Sequence, residues 1–213
     1  MGRTRDVSKI LTSNTSILTL ASASSTYQTI AKTGIIEITP PTISVSGGSG
    51  SVSATGAVSF TSASAISLND VFSATYDNYL ITTTLTGSTT NAYLQLRLRV
   101  SGTDASGSDY VWGFMATNSG GTSFTLASGA SATTGNITRP STTDSTVSIN
   151  IANPFLAKKT IWSGTTSYND GATVAPAVAV GGAHSLTTSY TGFTLIAASG
   201  TVTGSVNVYG YNK

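Results

Sequence analysis

The chain lacks cysteine, and its 213 residues include one glutamate, Glu37, and one histidine, His184. Without cysteine there are no disulfides and no thiolate metal ligands, and a single imidazole cannot form the multi-histidine set of a zinc centre. Charged residues make up 8% of the chain, whereas a typical soluble domain carries about a quarter. Because so few ionisable groups remain for acid–base chemistry, the sequence predicts a protein that is not an enzyme and uses no cofactor.

The net charge of +2 is too small to attract nucleic acid over a distance, so we expect no nucleic-acid partner. No apolar run approaches the roughly 20 residues of a transmembrane helix, and we expect no membrane insertion. Polar residues interrupt the apolar residues 10–20, which is unlike the hydrophobic region of a secretory signal. These features predict synthesis in a cytoplasm.

Serine and threonine account for about a third of the residues, and there are 22 glycines. Clusters of Gly, Ser, Asn and Asp recur about every ten residues between short apolar stretches, as in antiparallel sandwiches and jelly rolls. In residues 92–100, Leu94, Leu96 and Leu98 alternate with polar side chains in the period of a strand. The predicted fold is all-β: an antiparallel, jelly-roll-like β-sandwich preceded by an extended N-terminal arm.

The first 32 residues carry four basic side chains and one acidic side chain, and their apolar residues show no regular period. Such an arm needs a partner surface to become ordered. Residues 35–45 predict one short strand that ends at Pro40–Pro41. Residues 46–54 have the composition of a flexible linker, with an ordinary long loop as the alternative. We therefore predict an anchoring arm and linker over residues 1–54 and a β domain over residues 55–213.

Further strands are predicted by alternation at residues 79–85, 110–117, 146–151, 193–198 and 201–211. Residues 64–72 are the nearest approach to a short helical turn. Residues 153–162 predict a loop, since Asn153–Pro154 ends a strand and Lys158–Lys159 marks an exposed excursion.

Two constellations could carry chemistry, and both have a simpler structural interpretation. His184 would be required in a serine-hydrolase triad, but it lies in the loop-like GGAHSL stretch, and no Gly-x-Ser-x-Gly elbow precedes a helix. Asp104 and Asp109 flank small residues, as calcium ligands do, although their spacing misses that of an EF-hand. A hairpin loop rich in turn-forming residues is the favoured interpretation of this segment.

Four residues are candidates for contact with a partner or glycan: Tyr93, Arg97, Arg99 and Trp112. The two arginines share a predicted strand face with Tyr93, where guanidinium groups and an aromatic ring could bind sugar or an acidic partner. The alternative is a solvated strand face whose charges oppose edge aggregation. Trp112 could also line a carbohydrate groove with other aromatic residues, although aromatic residues at strand spacing are more often core or subunit contacts.

Two stretches resemble known proteins. The opening, MGRTRDVSKILTSNTSI followed by SSTYQTIAKTG, resembles the amino-terminal part of structural proteins of marine tailed bacteriophages, notably cyanophages. Residues 71–109, with VFSATYDNYLI, LQLRLRVSGTD and SDY, resemble a β-domain of phage tail-fibre-like and other virion proteins. Together with NPFLAKKT, the resemblance spans roughly half of the chain.

The resemblance implies a non-enzymatic virion protein of the tail-fibre or appendage type, made in the host cytoplasm. Its arm would dock on other virion proteins (tail, portal-proximal or capsid subunits), and its β domain would project as a homotrimer towards a host glycan or protein. The arm residues that would dock are Arg3, Arg5, Lys9, Ile10 and Leu11. The alternatives are a capsid decoration, cement or head-fibre protein and, in a different class, a carbohydrate-binding module. The chain shows no coiled-coil heptads, which favours a short fibre or knob, or a capsid-bound decoration, over a long fibre.

Overall fold

The computed structural model describes residues 34–90, 92–117, 123–139, 144–169 and 174–213. Within these ranges every regular element is a β-strand. The sixteen strands are β1 (Ile35–Glu37), β2 (Thr42–Ser46), β3 (Ser49–Val52), β4 (Val58–Ala63), β5 (Ala65–Asn69), β6 (Asn78–Ser88), β7 (Leu94–Val100), β8 (Thr103–Asp104), β9 (Tyr110–Thr117), β10 (Phe124–Ala132), β11 (Gly135–Thr138), β12 (Ser145–Ala152), β13 (Thr160–Asn169), β14 (Val174–His184), β15 (Gly192–Ala197) and β16 (Val202–Tyr211).

The strands form two sheets. Within each sheet, neighbouring strands pair antiparallel. In the described part of the chain the larger sheet has ten strands, in the order β10-β9-β14-β13-β12-β6-β16-β4-β3, with β1 paired to the C-terminal end of β16. The smaller sheet has six, in the order β11-β7-β15-β5-β2, with β8 paired to β7. Residues 35–213 form one compact unit. The prediction of an all-β, antiparallel sandwich is confirmed.

The core lies between the two sheets and follows the predicted alternation. Leu94, Leu96 and Leu98 face inward from β7, and Val147, Ile149 and Ile151 face inward from β12. Trp162 on β13 is the largest of the fully buried side chains. Because side chains alternate between the faces of a strand, the residues between these core positions lie on the outer faces.

The predicted flexible linker is wrong, because residues 46–54 contain the strand β3 and the corner that leads to it. The chain passes from the smaller sheet at Ser46 to the larger sheet at Ser49. Gly47 has φ of 77°, and a Cβ on Gly48 would overlap the carbonyl oxygen of Thr61. The glycines therefore allow a tight, packed corner, which places the start of the β structure at β1 rather than at residue 55.

Three other local predictions differ from the structure. Residues 35–45 form two strands in different sheets, since β1 pairs with β16 and β2 pairs with β5 on either side of Pro40–Pro41. Residues 64–72, the nearest approach to a helical turn in the sequence, instead contain β5, which pairs with β2 and β15. His184 ends strand β14 opposite Thr160 and Tyr110, instead of lying in a loop.

The turn-rich segment that begins at Gly102 starts with a two-residue hairpin. Ser101 and Gly102 have φ of 51° and 75°, and Val100 pairs with Thr103 across them. Positive φ at both central residues is the geometry that suits the twist of a tight β-hairpin. The hairpin interpretation of this segment is confirmed.

The loop predicted at residues 153–162 is shorter in the structure, where residues 153–159 lie between β12 and β13, which begins at Thr160, and Lys158 and Lys159 are exposed. The docking residues proposed for the arm lie outside the described residues. The described part of the chain contains no helical segment with the length and hydrophobicity that a bilayer span requires.

Candidate interaction surfaces

Tyr93 and Trp112, two of the four candidate contact residues, lie together at one side of the sandwich. Their ring centroids are 6.1 Å apart, and Phe114 lies 5.6 Å from Tyr93. Trp112 and Phe114 are nearly parallel, with 8° between the ring planes, and both pack against the core. All three rings are half-buried, so they cover the edge of the core and present only part of their area to a partner.

The indole of Trp112 lies over the backbone of β10. A Cβ on Gly129 would overlap the indole ring, so glycine at this position makes the close approach sterically possible. Next to it, a small cavity is lined by Tyr93, Phe114, Tyr168 and Val178, among others. Its volume of about 10 Å³ corresponds to roughly one water molecule and is far below what a sugar ring needs.

Arg99 is held by contacts within the smaller sheet. Its Nη1 donates to Asp104 Oδ1 at 2.6 Å, to Ser67 Oγ at 2.6 Å and to Thr194 Oγ1 at 2.7 Å. Its Nη2 donates to the carbonyl oxygen of Gly102, in the β7–β8 turn. The guanidinium therefore fastens the hairpin to strands β5 and β15, and most of its hydrogen-bonding capacity is used inside the domain.

Arg97 makes one backbone contact, in which Nε donates to the carbonyl oxygen of Thr133 at 3.0 Å. The two arginines are thus engaged with different segments, and the contacts made by Tyr93 and Trp112 are with each other and with Phe114. The four candidates divide into an aromatic cluster and two anchored arginines, and their recorded contacts do not join them into one site.

His184 is fully buried, and its Nδ1 lies 3.1 Å from the hydroxyl of Tyr190. The ring of Tyr110 meets it edge-on, with the centroids 4.5 Å apart. Burial lowers the pKa of His184, and the nearby carboxylate of Asp109 opposes that shift. The neutral imidazole is therefore packed between two tyrosines, as expected of a core residue.

The two aspartates considered as calcium ligands have other partners. Asp104 accepts from Arg99 and from Thr194 Oγ1, and Asp109 Oδ1 accepts from Ser185 Oγ at 3.3 Å. Among the described residues no group of three or more His, Cys, Asp or Glu side chains lies close enough to hold a metal ion.

The exposed apolar residues at one end of the larger sheet were missed by the sequence analysis. Phe124 and Leu126 on β10 are 66% and 73% exposed, and Val111, Met115 and Ile161 are also exposed. None of the strands β9, β10, β13 and β14 contains a lysine, arginine, aspartate or glutamate. That long charge-free stretch is the signal in the sequence that could have located this surface.

No protein-family profile matches the chain, and no curated protein matches it significantly.

Proposed function

We propose that the chain is a non-enzymatic phage virion structural protein of the tail-fibre or appendage type. In this proposal the N-terminal arm docks on tail, portal-proximal or capsid subunits, through Arg3, Arg5, Lys9, Ile10 and Leu11. The β domain projects, as a homotrimer, and contacts a glycan or protein on the host surface. The proposal takes its virion context from the sequence resemblance and its mode of action from the surfaces of the domain.

The observation that supports a structural role is that the side chains capable of chemistry are engaged in contacts within the domain. His184 is packed between Tyr110 and Tyr190, and Arg99 is engaged by Asp104 and three oxygens of the domain. Groups used in this way hold strands together and are unsuited to turn over a substrate. The outer face of the larger sheet, by contrast, offers an extended hydroxyl-rich surface, for example at Thr84, Ser148 and Ser205. Such a face suits binding better than catalysis.

The experiment is to quantify the chain in purified virions of a phage that encodes it. A tail-fibre or appendage role predicts a few tens of copies or fewer, whereas a capsid decoration or cement protein would be present in hundreds. Absence from the particle, or polysaccharide cleavage by the purified protein, would contradict the proposal.

The arm is tested in the full-length chain. Replacing Ile10 and Leu11 with aspartate should abolish incorporation into virions, because two apolar docking side chains become charged. The matched control is Thr84→Asp, which places a charge on the exposed face of β6. Normal incorporation of the arm variant would exclude these residues as the docking element.

A further inference from the structure

One end of the outer face of the larger sheet consists of parallel rows of apolar and glycine residues. Strand register places Leu126, Met115 and Ala179 side by side across β10, β9 and β14. A second row crosses β9, β14 and β13 and consists of Val111, Ala183 and Ile161. On β9 it lies four residues away from the first row. Both rows point away from the core, because their strand neighbours Ala116, Val180 and Trp162 point into it.

Between the two rows lie Gly113 and Gly181, which are directly paired across β9 and β14. A Cβ on Gly113 would come no closer than 3.8 Å to another residue, and one on Gly181 no closer than 3.4 Å. Neither glycine has a positive φ, so neither the backbone nor packing within the domain requires glycine here. Glycine in a strand interior weakens the strand, and it often marks a close approach of another backbone. The glycines form the floor of a trough between two apolar ridges.

The apolar area of this surface is large for a single chain. Phe124, Leu126, Met115, Val111 and Ile161 are between 44% and 73% exposed. At about 200 Å² for each fully exposed large side chain, they present on the order of 550 Å² of apolar surface. This is near the upper end of the patches found on monomers, and a standard interface buries about 800 Å² per partner. These side chains supply about two thirds of that area, and exposed serine and threonine residues lie beside them in register.

The surface also lacks protection against self-association. Strand β10 is the edge of the larger sheet, and it contains neither the lysine nor the proline that commonly protects such an edge. The four strands β9, β10, β13 and β14 carry no charged side chain. They therefore offer nothing to attract a charged partner, and two identical copies would meet here without charge repulsion.

We infer that this surface, made of the outward residues of β9, β10, β13 and β14, binds a second copy of the same chain. The two sheets pack face to face, and the ridge of Leu126 and Met115 from one copy occupies the Gly113–Gly181 trough of the other. Ridge and trough lie side by side on one copy, which is the arrangement that a contact between identical subunits requires. This reciprocal contact joins two copies, so the inference goes beyond the homotrimer of the proposed function and does not depend on it.

The test is sedimentation of the purified full-length chain across protein concentrations, with Leu126→Lys and Thr84→Lys as a matched pair. Both positions are exposed on the outer face of the same sheet, but Thr84 lies on β6, outside the surface. The wild type and Thr84→Lys should associate, and the measured mass gives the number of copies. Leu126→Lys should weaken association at least tenfold while its thermal unfolding remains cooperative.

Gly181→Val separates face-to-face packing from simple pairing of β10 edges. A Cβ at Gly181 would lie 3.4 Å from the carbonyl oxygen of Trp162, which is an ordinary van der Waals distance, so the fold should be retained, while association should weaken as strongly as in Leu126→Lys. A wild type that remains monomeric at high concentration would overturn the inference. So would a Leu126→Lys or Gly181→Val variant that associates normally. Virion incorporation is measured separately, so this inference and the virion role can fail independently.

Discussion

Arg99 and Asp104 form an ion pair across the hairpin between β7 and β8, with 2.6 Å between Nη1 and Oδ1. Their side chains are 11% and 23% exposed, whereas those of the second ion pair, Lys213 and Asp77, are 51% and 40% exposed. Asp104 Oδ1 also accepts from Thr194 Oγ1 at 2.6 Å, so the pair belongs to a network that joins β7, β8 and β15. Its position indicates a structural role.

Asp104→Ala should therefore destabilise the domain. The change leaves the guanidinium of Arg99 largely buried without its anion, and we expect a loss of about 2 kcal/mol, below the 3–5 of a fully buried pair. Chemical denaturation measures the loss. Asp77→Ala is the control, since removing an exposed ion pair should change stability by less than about 0.5 kcal/mol. Equal effects of the two substitutions would contradict the structural role of the network.

His184 predicts a specific dependence of stability on pH. Burial lowers its pKa in the folded state, with Asp109 as the opposing charge and Tyr110 and Tyr190 as the other titratable neighbours. As the pH falls below about 6.5, the unfolded chain takes up a proton that the folded chain resists, so His184 contributes stability above that pH and loses it below.

His184→Gln should therefore reduce the fall in unfolding free energy between pH 7.5 and 5.5, because glutamine keeps a polar group near Tyr190 without titrating. Urea denaturation at several pH values gives the two slopes. Identical slopes for the wild type and the variant would show that His184 does not carry this dependence.

Gly182 is predicted to be the least replaceable glycine on β14. A Cβ there would overlap the indole of Trp162 and approach the carbonyl oxygen of Val111, and neither can move freely inside the core. Gly182→Ala should cost about 1–3 kcal/mol through overpacking. Gly87→Ala is the matched strand control, because no atom lies within 4 Å of its added Cβ. Thermal unfolding compares the two, and a neutral Gly182→Ala would contradict the packing described for Trp162.

Tyr110 connects the two sheets through its hydroxyl group. The oxygen accepts from the backbone N–H of Leu98 at 2.9 Å and donates to the carbonyl oxygen of Ala105 at 2.9 Å. Tyr110→Phe leaves the buried N–H of Leu98 and the partly buried carbonyl of Ala105 without this partner, and we expect a loss of about 1–3 kcal/mol.

The control for Tyr110→Phe is Tyr211→Phe, which removes an exposed hydroxyl that donates to Asn150 Oδ1. That change should cost less than about 0.5 kcal/mol. In the wild type, burial raises the pKa of Tyr110 well above its ordinary value, so its ultraviolet titration should lag behind that of exposed tyrosines. Ionisation of every tyrosine in a single step near pH 10 would contradict this environment.

The alternation of apolar and polar residues is sufficient to predict a strand where one face of that strand meets the core. The alternating leucines of β7 and the alternating Val147, Ile149 and Ile151 of β12 predicted both the strands and their buried faces. It failed at residues 46–54, because glycine and serine are equally suited to a flexible linker and to a tight corner. The pairing of β3 with β4 and the close approach of Gly48 to Thr61 distinguish the two.

For the candidate site residues, too, the sequence predicts the type of side chain but not its neighbours in the fold. The aromatic character of Tyr93 and Trp112 indicates a contact surface, but the two rings contact each other and Phe114 within the domain. Arg99 was predicted on a solvated face, and the three-dimensional neighbours that engage it include Ser67 and Thr194, which are far away along the chain. Local pattern cannot identify such partners, because strand pairing brings them together.

The poverty in charge and cysteine, and the abundance of serine, threonine and glycine, determined by themselves that this chain folds as antiparallel β-structure. The strands and turns of such a fold follow from side-chain alternation and turn chemistry, which act over a few residues. Only the tertiary structure decided how the small polar residues are used. Register across three uncharged strands places Leu126, Met115, Gly113 and Gly181 on one outer face. Cross-strand neighbours are set by sheet order, which alternation within a single strand does not encode.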